Sequence, residues 1–467
     1  FYEVMLKNQF HDILPGTCIP KVYDIYKEEM SALLDDIAAA SGGYISGMSS
    51  GAENSFSLFN SLSTAQKGAA VIPGRTGIAG RDAQSYTDLM GKDVTVFAAE
   101  IPPMSAVTLE YAAPTGSVSA FCAEGNKLET PYYKVTFDVA GYISSLIDKA
   151  NGREIANLSG NAAPLGTLWF GENMPTRYDN WELEDDVFAK LSQTRSLLNR
   201  SVVTDGAVEY RIRSEYALGR NSKAYIDTVF YADDRRIDYE VKLDWHDRHS
   251  IVKAGFDVNI RSAFIKNEIQ FGHVDRPTTR NNSIENARFE VCNHKWSDLS
   301  ETNYGVALLN DCKYGISCEG SNIMLTLALG GTRPDPFNGF GELYMRYALL
   351  PHIGPFNAEN VVLPAYRFNY LPVFAAGAVE VPKLFGLSES NIICEAVKHA
   401  EDVEGAYVLR LYECERSATN CILTLPGAKK VTLTNMLEEA AEELKLTDGA
   451  VSLSFRPFEI KTILVER

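Results

Sequence analysis

Residues 237–245, IDYEVKLDW, are the stretch that decides the fold class. Apolar side chains alternate with charged ones along it, which is the period of two that is typical of a half-buried β-strand. Residues 208–213 alternate in the same way, and Asp233-Asp234 supplies a turn before the first run. Short runs of this kind, separated by turn clusters, continue to the last residue. We therefore expect stacked antiparallel β-sandwiches rather than an alternating β/α fold.

Residues 1–40 predict a helical hairpin instead. A helix over Phe1–Leu14 should stop at Pro15-Gly16, and Thr17 is placed to cap a second helix whose first turn tolerates Pro20. So short a hairpin cannot form a bundle alone, and the chain begins within a helix-like run, so we expect further sequence upstream. The apolar residues of the second helix recur at helical spacing: Val22, Tyr26, Leu33 and Ile37.

Elsewhere residues 435–444 predict a short helix, and residues 330–341 predict a loop. The expected fold class is mainly β, with stacked antiparallel β-sandwich domains after a short remnant of a helical bundle. The predicted domains are the end of a helical bundle (1–45), a small β-sandwich (46–122), a large β super-sandwich (123–375) and a carboxy-terminal β domain (376–467).

Size and composition are those of a globular protein with several cores. The chain has 467 residues, of which 45% are hydrophobic, and its formal net charge is −17. Such a charge repels nucleic acid and anionic membrane surfaces, whereas a neutral substrate fits it. No run approaches the ~18 apolar residues of a membrane span. The eight cysteines show no CxxC spacing, which favours free thiols in a reducing compartment, and we predict a cytoplasmic protein.

Residues 8–16, NQFHDILPG, concentrate polar side chains before a helix stop. On the predicted helix His11 and Asp12 project about 100° apart, and Asn8 lies one turn before them. By local pattern alone, a hydrogen-bonded histidine and an aspartate at the end of a helix explain these residues better than a binding site does. The pattern leaves both interpretations open.

The same run resembles a hallmark of the class II α-mannosidases, glycoside hydrolase family 38, and is most similar to their cytosolic, vacuolar and bacterial branch. Two positions depart from the family pattern, because Thr279 stands where a His is frequent and residues 339–343 lack an Asp-x-Gly-x-His order. These departures lie in the β region and concern local contacts or sugar preference. Further stretches resemble the family's β-domains in the expected order: 59–63, 139–154, 178–182, 271–282, 296–315, 347–352 and 455–462.

The resemblance implies a zinc-dependent, retaining α-mannosidase that hydrolyses α-linked mannose in oligosaccharides. The family has an amino-terminal α/β barrel, a three-helix bundle and several β-sandwiches, of which the large one is similar to galactose mutarotase. By motif, His11 corresponds to a zinc ligand from the bundle, and Asp12 to a neighbour that holds sugar hydroxyls. The nucleophile and the other zinc ligands belong to the barrel, which has no counterpart in this sequence.

A catalytic zinc ion needs about three or four protein ligands, and one His beside one Asp does not supply them. We therefore expect a carboxy-terminal portion without a catalytic nucleophile, inactive alone and weak in zinc binding. Its expected partners are the missing barrel and a mannose-containing oligosaccharide. The sequence leaves the mannose linkage, the acid/base residue and a homo-oligomeric state open.

Residues 178–182, YDNWE, resemble a loop of the same family. An aromatic ring flanked by carboxylates is a common way to grip a sugar, while a tryptophan that pins the loop over the sandwich explains the pattern equally well. We predict Asp179 and Trp181, together with Asp12, as substrate-binding residues, and His11 as the metal-binding residue.

Two other histidine motifs are expected to have no metal. His273-Val274-Asp275 has a His-x-Asp order, but its setting resembles the family's β-sandwich and not its barrel. Residues 245–249, WHDRH, indicate a solvated strand end.

Functions of two other classes remain open. A stand-alone carbohydrate-binding module would bind sugars through exposed aromatic side chains, and 23 Tyr and 22 Phe residues leave candidates. The helical start argues against it, because such a module would not need a truncated bundle that ends in His-Asp. A sugar epimerase would need a His paired with a carboxylate in a cleft, and the sequence shows no clear pair.

Overall fold

The fold class predicted from the sequence is confirmed, since antiparallel strands dominate and helices are few. Among the residues described, no helix is both long and apolar enough to cross a membrane. Residues 52, 53, 115 and 117 belong to the predicted small sandwich and lie outside the residues that the structure describes. The predicted domain borders stay predictions. The computed structural model describes residues 1–51, 54–114, 116 and 118–467, apart from the side chain of Ser46.

Two helices open the chain and form the predicted hairpin. Thr17 does not cap the second helix, because its N–H and its hydroxyl donate to the backbone carbonyl of Asp12, at 3.0 and 3.1 Å. Glu29 joins the two helices by accepting hydrogen bonds from the side chains of Lys7 and Asn8. The helices are α1 (Tyr2–Lys7) and α2 (Pro20–Met48).

The first helix is shorter than the sequence predicts. It ends at Lys7, and the next N–H groups, those of Gln9 and Phe10, donate to carbonyls only three residues before them, at 3.1 and 3.3 Å, as in turns. The prediction of a helix across residues 8–14 is therefore wrong. His11 and Asp12 lie in consecutive turns and not on a helix face.

The hairpin leaves most of its apolar side chains uncovered. Leu33 is buried, but large apolar residues on both helices are exposed. A helix with such a face is stabilised by packing against another surface. The exposed residues are Tyr2, Leu6, Ile25, Leu34, Ile37, Tyr44 and Met48.

The strands that follow the helices form a small sandwich. They are β1 (Ser55–Asn60), β2 (Gln66–Pro73), β3 (Gly77–Ile78), β4 (Ala83–Thr87), β5 (Asp93–Ile101) and β6 (Ser105–Ala112). Strands β1, β6 and β3 pair in one sheet, and β2, β5 and β4 pair in the other. Apolar residues from both sheets, including Phe56, Phe97 and Ile101, form the core between them.

The large sandwich follows. Its strands are β7 (Cys122–Glu124), β8 (Lys127–Glu129), β9 (Tyr133–Phe137), β10 (Ile143–Asp148), β11 (Thr167–Glu172), β12 (Ser192–Gln193), β13 (Leu197–Asp205), β14 (Glu209–Leu218), β15 (Ser222–Tyr231), β16 (Ile237–Trp245), β17 (Ser250–Asp257), β18 (Phe264–Ile269), β19 (Gly272–Pro277), β20 (Val291–Cys292), β21 (Trp296–Ser300), β22 (Tyr304–Asn310), β23 (Gly315–Glu319), β24 (Asn322–Leu329) and β25 (Gly341–Ile353).

Two sheets of this sandwich position the candidate site. Sheet A has the strand order β12-β11-β17-β24-β23-β20, and sheet B has the order β13-β14-β15-β16-β25-β22-β21-β18-β19. A smaller sheet, β10-β9-β8-β7, packs beside them. Trp245, Phe256 and Tyr347 belong to one continuous core. The strands that the alternating runs predict are confirmed as β14 and β16.

Nine strands follow the large sandwich. The first of them pairs with β1 of the small sandwich, and the other eight form the carboxy-terminal domain. The nine strands are β26 (Val373–Ala376), β27 (Gly386–Leu387), β28 (Ile392–His399), β29 (Tyr407–Glu413), β30 (Thr419–Thr424), β31 (Lys430–Thr434), β32 (Ala440–Glu443), β33 (Ala450–Phe455) and β34 (Ile460–Glu466). The sheets β27-β30-β33 and β28-β29-β34-β31-β32 enclose the core of this domain.

The helix predicted for residues 435–444 is wrong. The side-chain oxygen of Asn435 accepts hydrogen bonds from the N–H groups of Leu437 and Glu439, both at 3.0 Å, which closes a tight turn. The turn reverses the chain, and β32 pairs with β31. The loop predicted for residues 330–341 is confirmed, because no regular element interrupts residues 330–340.

The remaining helices are short. A π-helix and the helix after it pack on sheet B and against the carboxy-terminal domain, where Trp296, Tyr366 and Tyr412 share one core. They are α3 (Val187–Lys190), α4 (Ser283–Ala287), the π-helix (Ala358–Val362) and α5 (Leu363–Asn369).

Candidate functional site

Loops at one end of the large sandwich converge on the turn that contains His11 and Asp12. Residues 246–249 and 330–340 connect the two sheets, since β16 and β25 belong to sheet B and β17 and β24 to sheet A. Residues 173–186 follow β11 of sheet A. Because antiparallel neighbours begin and end at the same edge of a sheet, their connections meet there. We call the following residues the rim cluster: 11–18, 178–182, 246–249 and 330–338.

Asp179 holds two of these loops together. Its carboxylate accepts hydrogen bonds from the N–H groups of Thr332 and Arg333, both at 2.8 Å, and from the Thr332 hydroxyl at 2.9 Å. The residue is only 4% exposed. Burial disfavours its charge, but these donors outweigh that effect and hold the pKa of Asp179 below its ordinary value. An ionised carboxylate therefore fixes the loop around it at neutral pH.

His249 connects the third loop to Asp179. Its Nδ1 lies 3.1 Å from Oδ2 of the aspartate, and its N–H donates to the Gly330 carbonyl at 2.6 Å. The φ angle of His249 is 51°, in the left-handed region that is uncommon for a residue with a side chain. The imidazole is 43% exposed, so it can contact a ligand as well as the aspartate.

Two glycines let the loops approach each other closely. A Cβ atom at Gly331 would lie 1.7 Å from the side-chain oxygen of Asn180, and one at Gly330 would lie 1.9 Å from the Asp247 carbonyl. The N–H of Asn180 also donates to the Arg333 carbonyl at 3.2 Å. A larger residue at either glycine would push the loops apart.

Trp181 and Asn338 join the rim to the turn after α1. The indole N–H of Trp181 donates to the Thr17 carbonyl at 3.0 Å, and the side-chain amide of Asn338 donates to the Gly16 carbonyl at 3.1 Å. Thr17 is itself bonded to the Asp12 carbonyl. Since Trp181 is 59% exposed, most of its ring remains accessible. The structure thus brings the predicted residues Asp12 and Trp181 to one place.

His11 lies at the surface of this cluster. Its side chain is 77% exposed, that of Asp12 is 29% exposed, and Nε2 of His11 lies 3.6 Å from Oδ1 of Asp12. The ring of Phe10 lies 4.3 Å from the imidazole between centroids. The same Asp12 oxygen lies 3.4 Å from the Thr17 hydroxyl. The imidazole of His11 is therefore available for a further interaction.

The chain by itself does not fit a zinc site. A zinc ion in a protein takes three or four side-chain ligands. Within the part of the chain that the structure describes, no group of three His, Cys, Asp or Glu side chains is placed to hold a metal ion. His11 and Asp12 supply two neighbouring donors, so any complete site would need ligands from outside these residues.

His273 lies in an aromatic cluster. The rings of Phe356, Phe458 and Trp296 lie 4.9, 5.0 and 5.9 Å from the imidazole between centroids. Burial among them lowers the pKa of His273 to about 4. The imidazole is therefore a neutral component of an aromatic cluster.

Sequence reasoning misses His249, Asn338 and the backbone donors of Thr332 and Arg333. The local pattern around His249 indicates only a solvated strand end, and that of residues 330–341 only a loop. The contact between Asp179 and the N–H of Thr332 joins residues 153 positions apart. The spacing of residues within either of the two loops does not indicate such a contact. The glycine pair at 330–331 is the one local signal, because it marks a close approach of backbones.

Replacing Asp179 by alanine is expected to lower the free energy of unfolding by about 1–3 kcal/mol at pH 7, because it leaves the part-buried N–H groups of Thr332 and Arg333 without their acceptor. The folded pKa of Asp179 is depressed, so its contribution is present above the unfolded value of about 4 and is lost as the pH falls through the folded value. Urea unfolding of both proteins between pH 3 and 7 measures this difference.

The matched control is Asp185→Ala, an exposed aspartate on the same loop. It should change the free energy of unfolding little at any pH. Equal losses for the two variants, or a difference for Asp179→Ala that persists unchanged at pH 3, would contradict the role given to the Asp179 carboxylate.

Two protein-family models match the chain. Residues 128–337 match the model described as "Glycosyl hydrolases family 38 C-terminal domain". Residues 391–463 match the model described as "Glycosyl hydrolases family 38 C-terminal beta sandwich domain". Together the matched residues make up more than half of the chain.

Curated relatives of the chain are named alpha-mannosidases. Alpha-mannosidase 2C1 of Homo sapiens is 30% identical over 481 residues, which cover 99% of this chain and 45% of that protein. Alpha-mannosidase G of Dictyostelium discoideum is 31% identical over 354 residues, covering 72% of this chain and 32% of that protein. The chain therefore spans less than half the length of these relatives.

A solved structure shares the fold over the whole chain. The crystal structure of an alpha-mannosidase from Enterococcus faecalis V583 has a TM-score of 0.77 and covers 100% of this chain and 63% of its own chain. The two sequences are 15% identical, so this likeness concerns the fold.

Proposed function

The chain belongs to glycosyl hydrolase family 38, and from this premise we propose that it forms the carboxy-terminal part of a retaining α-mannosidase. The proposed substrate is an oligosaccharide with α-linked mannose. The proposal is supported by the two family models, by the alpha-mannosidase relatives and by the contents of the rim cluster.

The observation on which this proposal rests is the connection between the turn of residues 11–17 and the rim of the large sandwich. The bond from the Trp181 indole to the Thr17 carbonyl places an exposed aromatic ring beside the turn that contains Asp12. In the proposed site the Trp181 ring packs against the apolar face of a sugar, and Asp12 accepts hydrogen bonds from its hydroxyl groups.

We assign Asp179 a positioning role in this site. Both of its oxygens already accept hydrogen bonds from the chain, and the residue is nearly buried. It holds residues 330–338 in the arrangement that supports Asn338 and His249. A direct contact between Asp179 and the sugar stays a prediction.

We propose that the nucleophile and the acid/base carboxylate come from an amino-terminal barrel. A retaining glycosidase uses two carboxyl groups about 5 Å apart, one on each side of the scissile bond. The relatives extend well beyond the region that this chain covers, which leaves room for such a domain. The uncovered apolar side chains of α1 and α2 suit a surface that packs against it.

In the proposed enzyme His11 is one ligand of a zinc ion, and the other ligands belong to the barrel. The exposed imidazole of His11 suits this role, because it has no protein acceptor or donor within 3.5 Å in the described chain. A bound zinc ion would supply Lewis-acid contacts to sugar hydroxyls. The residues of this chain would then orient the sugar between Asp12 and Trp181.

A cytoplasmic location remains part of the proposal. All eight cysteines are free in the structure, two of them buried. Free thiols persist in a reducing compartment, whereas exported proteins of this size commonly form disulfides.

The proposal is tested by the hydrolysis of an aryl α-mannoside, with and without added zinc, and with the aryl β-mannoside as control. The longest natural protein that contains this chain should cleave the α-anomer alone. The isolated 467-residue chain should show no turnover in either condition. Failure of the longest protein to cleave any α-mannoside would refute the proposal. Zinc-dependent turnover by the isolated chain would place the nucleophile within it.

A carbohydrate-binding module without catalysis is the second candidate. Exposed aromatic side chains around the rim favour it, namely Tyr178, Trp181 and Phe337. The same assay separates the two candidates, because a binding module retains affinity for mannosides while the longest natural protein cleaves none of them.

A further inference from the structure

A cavity at the junction of the large sandwich and the carboxy-terminal domain lies outside the rim cluster. Its volume is about 490 Å³, within the range of small-molecule sites. We propose that this junction cavity binds a neutral saccharide. The residues on which the argument rests are Glu268, His294, Lys295, Tyr314, Tyr370 and Glu395.

The walls of the cavity are built by contacts between different elements. Lys295 forms an ion pair with Glu268 at 2.9 Å, and its ammonium lies 4.5 Å from the centroid of the Tyr366 ring on α5. The Tyr366 hydroxyl lies 2.9 Å from that of Tyr412 on β29 and also donates to Glu395 on β28. These contacts hold the large sandwich, α5 and the carboxy-terminal domain in fixed positions. The cavity between them is therefore preformed.

Aromatic rings supply apolar surface in this cavity. Tyr314 is 46% exposed and Tyr370 is 43% exposed, although both line it. Tyr370 is held by stacking on Tyr366, with ring centroids 5.7 Å apart and an angle of 16°. Tyr314 packs against His294 at 5.2 Å. Partly exposed but anchored tyrosines can cover the C–H face of a sugar ring at little conformational cost.

The polar groups of the cavity include both donors and acceptors. Lys295 has N–H groups beyond the one that bonds Glu268, and Glu395 has an oxygen beyond the one that bonds Tyr366. The side chains of Gln270 and His294 lie 3.0 Å apart at the same wall. Hydroxyl groups donate and accept at once, so a polyhydroxyl ligand can satisfy such a mixed set.

The charges of the cavity argue against an anionic ligand. The cavity is lined by three carboxylates, Glu268, Asp311 and Glu395, and by one ammonium, that of Lys295. Glu268 is paired with Lys295, and Asp311 is paired with Arg346 at 3.2 Å, which leaves Glu395 bonded to a neutral phenol. An anionic ligand would meet the carboxylate of Glu395, which no paired cation neutralises, so charge disfavours an anion, whereas the mixed donors and acceptors suit hydroxyl groups.

The junction cavity shares no residue with the rim cluster. The rim cluster and the cavity lie along the same strand, β25. The rim cluster lies near Gly341, where β25 begins, and the cavity lies near Arg346, which pairs with the lining residue Asp311. The two positions are separated by roughly 16 Å along the strand. The inference does not depend on α-mannoside hydrolysis, because binding in the cavity would be measurable in a chain that has no turnover.

The test is saturation-transfer NMR and calorimetric titration of the isolated chain with methyl α-mannoside, α-linked mannobiose and maltose. Glucuronate and glucosamine are the anionic and cationic probes. At least one neutral saccharide should bind more tightly than either charged probe. Tyr314→Ala and Glu395→Gln should each weaken that binding about tenfold, a change of the size expected for one well-placed contact.

Two matched variants separate this cavity from other sugar contacts. Tyr344→Ala removes an exposed tyrosine of β25 that does not line the cavity, and Trp181→Ala removes the aromatic ring of the rim cluster. Tyr344→Ala should leave the dissociation constant unchanged, whereas Trp181→Ala should remove only binding at the rim cluster and leave the binding that Tyr314→Ala weakens. Urea unfolding midpoints verify that all variants fold. Absence of neutral saccharide binding, preference for a charged probe, or loss of binding in Trp181→Ala but not in Tyr314→Ala would overturn the inference. Loss of mannosidase activity in the longest protein, with cavity binding retained, would overturn only the proposed function.

Discussion

Replacing His11 by alanine is expected to lower kcat/KM for an aryl α-mannoside by at least about 100-fold in the longest natural protein that contains this chain. The urea unfolding midpoint should stay unchanged. The reason is that 77% of the His11 side chain is exposed, and the contacts described for it are with its chain neighbours Phe10 and Asp12, so the fold does not depend on it. In the proposed site, by contrast, the imidazole is a metal ligand.

The control for this variant is His399→Ala, which removes an exposed histidine of the carboxy-terminal domain. It should leave both activity and stability as they are. Zinc content, measured by atomic emission on protein purified without chelator, should fall in His11→Ala and stay constant in His399→Ala. Full activity of His11→Ala with normal zinc content would refute the ligand assignment.

Replacing Arg211 by alanine is expected to cause the largest loss of stability, about 3–5 kcal/mol, because it leaves buried carboxylates without their partner. Arg211 is 1% exposed and bonds Glu209 at 2.8 Å and Asp227 at 3.2 Å. Burial disfavours its charge, but Glu209 and Glu240 outweigh that effect and raise the pKa of Arg211 above its ordinary value. The guanidinium also lies 4.3 Å from the centroid of the Tyr86 ring in the small sandwich.

The measurement is urea unfolding at pH 7, with Lys223→Ala as the matched control. Lys223 pairs with Glu215 on the same sheet at 2.8 Å, but its side chain is 46% exposed. Exposed pairs of this kind contribute little to stability, so the control should unfold near the wild-type midpoint. A loss for Arg211→Ala no larger than that for Lys223→Ala would show that Glu209 and Asp227 find other partners.

The candidate site shows which of its residues the local sequence can predict. The NQFHDILPG run and the 178–182 loop mark Asp12 and Trp181 as candidates, and the structure connects both through Thr17. The helix predicted across the first run is wrong, because the bonds from the N–H groups of Gln9 and Phe10 to carbonyls three residues before them interrupt an otherwise helical pattern. The part played by His249 depends on its contact with Asp179, which no neighbouring residue encodes.

The sequence by itself determined where strands such as β14 and β16 lie along the chain. Alternation along residues 237–245 predicts β16 because side chains of an extended chain point to opposite faces, and that geometry involves only consecutive residues. The same rule identifies β14, where Glu209 and Arg211 occupy the polar face of the alternation. On this pattern alone that face would be solvated.

Only the tertiary structure decided that both faces of β14 are buried at its first residues. Glu209 and Arg211 are each 1% exposed, because the small sandwich docks on that face. Gln84 of β4 bonds the N–H and the carbonyl of Glu209, both at 2.9 Å, and Tyr86 covers Arg211. A period of two reports which residues share a face, but whether a face meets water depends on segments far apart in the chain. The same holds for the rim cluster, whose parts are local and whose assembly is not.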